Sequence, residues 1–233
     1  MSPIQRAARV EGLFPPGVIA FETRIGGTPE DLFPIEREHV IRAVDTRVAE
    51  FAAGRMCARA AMAVLGLEPT PVPAGKDRAP IWPTGVVGTI THTDDYCVAV
   101  VGEATRFAAL GIDAEAAGRL KPDLWHLTLH TEERKALLGM PEEAARARAT
   151  VLFSAKEAFY KCQYAMTKSW VGFEDVIVKV EGDAFDVTVV EQTRPVARIQ
   201  KRWTGRYLTD ESLVLAAVAL AKLQVPSSQP PGD

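Results

Sequence analysis

The segment L-G-I-D-A-E, Leu110 to Glu115, places two carboxylates one residue apart. In a strand alternate side chains share a face, so Asp113 and Glu115 project together while Leu110 and Ile112 turn toward a core. Carboxylates that close repel each other unless a cation lies between them. Hard oxygen donors suit Mg2+, which takes one or two carboxylates plus substrate phosphates. Mn2+ shares the preference for oxygen. The alternative is a polar strand end in solvent, where charged residues mostly belong.

The segment F-S-A-K-E-A-F-Y-K-C-Q-Y, Phe153 to Tyr164, holds the next group. Glu157 and Lys161 are four apart and therefore neighbours on a helix. They read either as a surface ion pair worth about 0.3–0.5 kcal/mol or as a third metal carboxylate beside two phosphate-binding cations, Lys156 and Lys161. His92 stands at a strand end beside a turn, as a structural histidine or as a donor to a phosphate. Thr89, Thr91 and Thr93 fall on the opposite strand face and read as ordinary β-formers. Arg47, Arg55 and Arg59 lie on one helix, with Lys76 and Arg78 in the loop that follows. Guanidinium forks match phosphate oxygens, and solvated surface is the competing assignment.

These residues need elements to position them. A strand is expected at Val18–Arg24, a helical stretch from about Glu36, and a stronger helix from Thr46 to Leu65 with Gly66 as its stop. Glu68–Gly85 carries five prolines and two glycines and must be loop. Val86–Thr91 and Tyr96–Val101 form a hairpin turning at Thr93-Asp94-Asp95, and Phe107–Asp113 is a third strand. Helices follow near Thr131 and over Ala144–Met166. Strands are expected at Val176–Val180, Phe185–Val190, Val196–Trp203 and Leu213–Ala219. Runs of each type indicate an α+β fold. Leu120–Leu129, with Trp125 and several leucines, reads either as an apolar docking patch for a protein partner or as core.

The chain has 233 residues, with a hydrophobic fraction of 47% and a net charge of −3. An acidic chain argues against nucleic acid as partner. No run approaches the ~20 apolar residues that span a membrane, and the first residues lack the apolar run of a signal peptide. The expectation is a soluble, cytoplasmic protein without a membrane partner. Cys57, Cys97 and Cys162 show no pairing pattern and read as packed thiols.

Three motifs together carry a resemblance. G-x-I-T-H-T-x-x-Y at Gly88–Tyr96, G-I-D-A-E at Gly111–Glu115 and F-S-A-K-E-A-x-Y-K at Phe153–Lys161 start about twenty and then about forty residues apart. In that order they resemble the Sfp-type 4′-phosphopantetheinyl transferases, in the EntD/PptT-like branch. E-F-A-x-G-R-x-C-A-R-x-A at Glu50–Ala61 and G-K-D-R-A-P-x-W-P at Gly75–Pro83 are similar to the same branch. The resemblance covers roughly Arg47 to Trp170. It implies a pseudo-twofold pair of similar subdomains, residues 1–109 and 110–225, followed by a disordered tail at 226–233. It implies a monomer with coenzyme A between the halves and Mg2+ (or Mn2+) on Asp113, Glu115 and Glu157. Arg47, Arg55, Lys76, Arg78, His92, Lys156 and Lys161 would hold coenzyme A, and Glu157, Lys161 and His92 would be catalytic. The implied reaction moves phosphopantetheine to a serine of an acyl, peptidyl or aryl carrier protein, leaving adenosine 3′,5′-bisphosphate. A nucleotide phosphohydrolase and a non-catalytic coenzyme A-binding module are the competing functions.

Overall fold

The computed structural model describes residues 3–190 and 195–222; the tail expected at 226–233 lies outside them. In chain order the elements are β1 (Gln5–Arg6), α1 (Ala8–Glu11), β2 (Ile19–Arg24), α2 (Pro34–Arg37), α3 (Asp45–Val64), β3 (Val86–His92), β4 (Tyr96–Glu103) and β5 (Phe107–Ala116). Then come α4 (Trp125–Thr128), α5 (Thr131–Leu137), α6 (Glu142–Thr167), β6 (Val176–Glu181), β7 (Ala184–Val189), α7 (Pro195–Ile199), β8 (Arg202–Thr209) and β9 (Leu213–Ala221).

The strands make two antiparallel sheets, ordered β1-β2-β4-β3 and β5-β9-β8-β7-β6. Helix α3 lies on the first sheet and helix α6 on the second. The fold is therefore α+β with two similar subdomains. Residues on both sides of the expected 109/110 division belong to β5, which pairs along its length with β9. The outermost strands β3 and β5 lie side by side and form the seam between the halves.

Small residues bring each helix close to its sheet. Ala52, Ala53, Gly54, Cys57, Ala58 and Ala61 are buried on α3. On α6 the buried stripe includes Ala145, Ala149, Ala155, Ala158 and Cys162. Phe159 packs edge-on to the buried Trp203, with ring centroids 5.4 Å apart. Such a pair adds about 0.5–1.5 kcal/mol to the burial of the two rings. Glu142 and Glu143 occupy the first turn of α6, where the helix dipole favours acids.

The strand expected over Val196–Trp203 is corrected. Residues 195–199 are helical, and the strand starts at Arg202 and reaches Thr209. Pro195 suits a first helical turn, where its missing N–H costs nothing. The helical stretch expected from Glu36 is the four-residue α2, which starts two residues earlier at Pro34.

Candidate active site

Strand β5 supplies the acid pair, and its alternation sets where the pair points. Leu110, Ile112 and Ala114 enter one core cluster. The other face carries Gly111, Asp113 and Glu115 toward α6. A Cβ on Gly111 would lie 2.0 Å from the Ala158 carbonyl oxygen, so only glycine lets the helix come this close. That approach sets Glu157 and Lys161 against Asp113. Lys161 Nζ lies 2.7 Å from Asp113 Oδ1 and 3.0 Å from Thr91 Oγ1. The Thr91 hydroxyl also reaches Asp113 Oδ1 at 3.4 Å, across the seam from β3.

The electrostatics record the crowding of carboxylates. Burial, with Asp113 adding to it, pushes the Glu115 carboxyl up to about 7. Burial and then Asp113 also raise Glu157, which Lys161 opposes. Asp113 is 4% exposed, and its Oδ2 is buried without a hydrogen-bond partner. Lys161 pairs with Asp113, and Arg119 pairs with Glu115 at 3.6 Å. Among the described residues no three His, Cys, Asp or Glu side chains converge as a ready-made metal cage. An orphaned carboxylate oxygen beside two carboxyls of raised pKa is nevertheless a donor set that fits an added hard cation.

The first half presents cations on the other face of β3. His92 shares that face with Ile90, against α3. Its Nε2 lies 3.2 Å from Arg47 Nη1 and 3.6 Å from Glu50, which Arg47 also meets at 3.1 Å. Burial, with Arg47 and Lys161 nearby, lowers the His92 pKa despite Glu50. Arg55 is 6% exposed, donates from Nε to the Val72 carbonyl at 2.8 Å and lies over the Phe51 ring. Burial brings it down to about 10, and no carboxylate pairs with it among the described residues. Lys76 and Arg78 are exposed at the tip of the proline-rich loop, where Arg78 has φ of 65°.

A cleft of about 450 Å³ opens between β3, the Asp77–Pro80 turn, β5 and α6. Lys161 borders it at the acidic end, and Arg78, Trp82, Tyr164 and Lys168 line the rest. A smaller cavity of about 210 Å³ sits beside Glu157, walled by Phe159, Tyr160, Trp170 and Phe173.

One site expectation meets a different environment, and one open alternative is answered for Trp125. Lys156 is not brought to the acids. Its side chain is 1% exposed, bonded at 2.7 Å to Glu133 and at 2.7 Å to the Phe173 carbonyl. Adjacent residues on a helix do not face one another: Lys156 turns to Glu133, while Glu157 lies near Asp113. In the apolar Leu120–Leu129 segment, Trp125 packs on the core and donates to the Leu120 carbonyl. Leu124 and Leu127 remain exposed, at 42% and 61%.

Three residues escaped the sequence reading: Thr91, Glu36 and Glu133. Glu36 is fully buried and accepts from Arg59, from Val72 N and from Phe33 N. Thr91 had a signal, since strand alternation turned it away from His92; that face proved to be the one toward Asp113.

Comparison with known proteins adds the wider context. Residues 35–102 match the 4′-phosphopantetheinyl transferase N-terminal domain, and residues 109–218 match the 4′-phosphopantetheinyl transferase superfamily. The chain is 40% identical to 4′-phosphopantetheinyl transferase Svp of Streptomyces mobaraensis, over 82% of this chain and 79% of that one. It is 34% identical to 4′-phosphopantetheinyl transferase Npt of Nocardia iowensis, over 91% and 100%. It is 34% identical to 4′-phosphopantetheinyl transferase PptT of Mycobacterium tuberculosis, over 82% and 88%.

Proposed function

The chain belongs to the 4′-phosphopantetheinyl transferases, and from that premise we propose that it moves phosphopantetheine from coenzyme A to a serine of acyl, peptidyl or aryl carrier proteins. The other product is adenosine 3′,5′-bisphosphate. The observation that carries the reading is the meeting of Asp113 and Glu115 on β5 with Glu157 and Lys161 on α6, beside a cleft bordered by cations.

Asp113, Glu115 and Glu157 would hold Mg2+ (or Mn2+), which neutralises pyrophosphate charge and polarises the phosphorus under attack. Every other role falls to the chain itself. The cleft takes the nucleotide end of coenzyme A, with Arg78 on its wall as a phosphate donor; Arg47, Arg55, Lys76 and His92, the other donors expected, stand outside its lining, and Arg55 is buried on the Val72 carbonyl. Lys161 lies where the pyrophosphate meets the acids and steadies the leaving oxygen. The apolar cavity beside Glu157 suits the pantetheine arm. Glu157, whose pKa burial raises, accepts the serine proton as general base. Lys156 acts through position: it ties α6 to Glu133 and to the backbone at Phe173, a wall of that cavity. No helix among the described residues is long and apolar enough to cross a membrane, and we place the enzyme in the cytoplasm as a monomer.

The test is a mass shift. Purified protein with coenzyme A and Mg2+ should add a phosphopantetheine mass to apo carrier proteins, and Glu157→Ala should not. Release of nucleotide without any carrier would point to a hydrolase. Coenzyme A binding with no turnover on any carrier would sink the reading.

A further inference from the structure

Among the described residues, Arg78 and Lys168 are the two non-glycine residues with positive φ, at 65° and 52°. Glycine or asparagine normally fills such positions, and backbone strain of this kind collects at functional sites. The two come from opposite halves of the chain, yet both line the same cleft.

Each half holds its own strained residue in place. Arg78 follows Asp77 at the tip of a tight turn. Gly75 N donates to the Ala79 carbonyl at 2.8 Å, Arg78 N to the Gly75 carbonyl at 2.9 Å, and Ala79 N to Asp77 Oδ1 at 3.2 Å. Lys168 caps the end of α6. There the fully buried Gln163 donates to the Ser169 carbonyl at 3.1 Å and accepts from Thr167 Oγ1 at 2.6 Å. These bonds fix the chain on either side of Lys168. The two tips then meet. Lys168 Nζ lies 3.4 Å from Asp77 Oδ2 and 5.1 Å from the centre of the Tyr164 ring. Tyr164 interacts with the same carboxylate. The pair joins the two walls of the cleft at a place where both side chains reach solvent.

We propose that Asp77 and Lys168 are positioning residues that strap the cleft shut over the nucleotide end of coenzyme A. The proposal rests on the reading that this cleft takes that end. The strap holds the Asp77 turn against α6, which keeps Arg78 on the cleft wall. Lys168 also neutralises Asp77, whose carboxylate would otherwise face the phosphates uncompensated. The nucleotide enters and leaves when the pair parts, so the pair sets its residence time.

The test follows adenosine 3′,5′-bisphosphate, the proposed nucleotide product, by surface plasmon resonance on the intact protein. Asp77→Asn keeps an acceptor for Ala79 N and loses the charge. It should speed release about fivefold, the upper range for an exposed ion pair. Simple repulsion between Asp77 and the phosphates predicts the opposite sign. Lys168→Gly relaxes the left-handed backbone, so the melting temperature should hold or rise while release quickens at least as much. Affinity for 4′-phosphopantetheine, the other part of coenzyme A, should stay within about twofold in both variants. Unchanged or slower release in Asp77→Asn overturns the proposal. So does a parallel loss of 4′-phosphopantetheine affinity, or a loss of nucleotide affinity in Lys168→Gly that tracks a fall in melting temperature. Those outcomes, with an unaltered protein that binds the bisphosphate and modifies a carrier, sink the strap alone. If the unaltered protein neither binds the bisphosphate nor modifies a carrier, the transferase reading falls first and takes the strap with it.

Discussion

Helix α3 grips Glu36 through Arg59, and helix α6 grips Glu133 through Lys156. The two arrangements correspond closely. Each glutamate is buried, accepts the backbone N–H three residues before it (Phe33 and His130), and accepts another from a distant segment (Val72 and Val178). Each helix is therefore anchored to its subdomain by one cation and one buried acid. On their other faces the helices diverge. α3 carries Arg47 beside His92 and a buried Arg55 bonded to the Val72 carbonyl, whereas α6 brings Glu157 and Lys161 to Asp113 at the seam. Duplicated anchoring with unlike chemistry on the remaining faces is what the proposed division, polyanion on one half and cation on the other, would use.

That comparison can be broken at several points. The largest effect is expected from Glu157→Gln, which should cut transfer about 10²–10⁴-fold in a carrier mass assay. Coenzyme A binding should persist in that variant, because the cations of the first half remain. Next come the anchors. Glu133→Ala leaves a lysine that is 1% exposed without its carboxylate, and should cost about 3–5 kcal/mol in urea unfolding. Glu36→Ala should cost less, because Arg59 at 15% exposure can reach water. Equal losses would mean that the anchors are alike in energy as well as in geometry.

The glycines sharpen the contrast further. Gly111→Ala drives a methyl into the Ala158 carbonyl, and should destabilise by at least about 1–3 kcal/mol while lowering turnover. Gly54→Ala on α3 puts its methyl 2.8 Å from the Cγ2 branch methyl of Ile90, with Cys97 Sγ at 3.8 Å. A gain of about 1 kcal/mol in helix propensity offsets part of that clash, so the loss of melting temperature should be smaller than for Gly111→Ala. Arg47→Ala should raise KM for coenzyme A about tenfold, within the range of a charged hydrogen bond, with kcat nearly unchanged. The smallest effect concerns pH. Glu115 titrates near 7 because burial and Asp113 raise it. Below that value a proton must leave before the carboxylate can take Mg2+, so the Mg2+ concentration for half activity should fall as pH rises from 6 toward 8.

Much of this was legible in the sequence because it rests on local periodicity. The parity of β5 separated Asp113 and Glu115 from Leu110 and Ile112. The four-residue spacing put Glu157 with Lys161. The segments G-R-M-C-A-R-A-A-M and S-A-K-E-A-F-Y-K-C lie in the two helices that are anchored alike. What could not be read depends on distant partners. Nothing near Glu36 or Glu133 marks either as buried, since the cations and backbone amides that satisfy them come from elsewhere in the chain. Lys156 was grouped with Glu157 by adjacency, although neighbours on a helix point in different directions. Val196 and Ile199 suggested a strand because β-branched residues favour sheets, but Pro195 starts a helical turn there.

The seam has one more consequence. β3 and β5 are each the last strand of their sheet, and each lies against the other. A bare strand edge recruits other chains through its unpaired amides and carbonyls. Forcing the halves apart would uncover two such edges at once, next to apolar faces. Loss of the joint should therefore appear first as aggregation during expression or heating, and cutting the chain at the turn before β5 should give insoluble fragments.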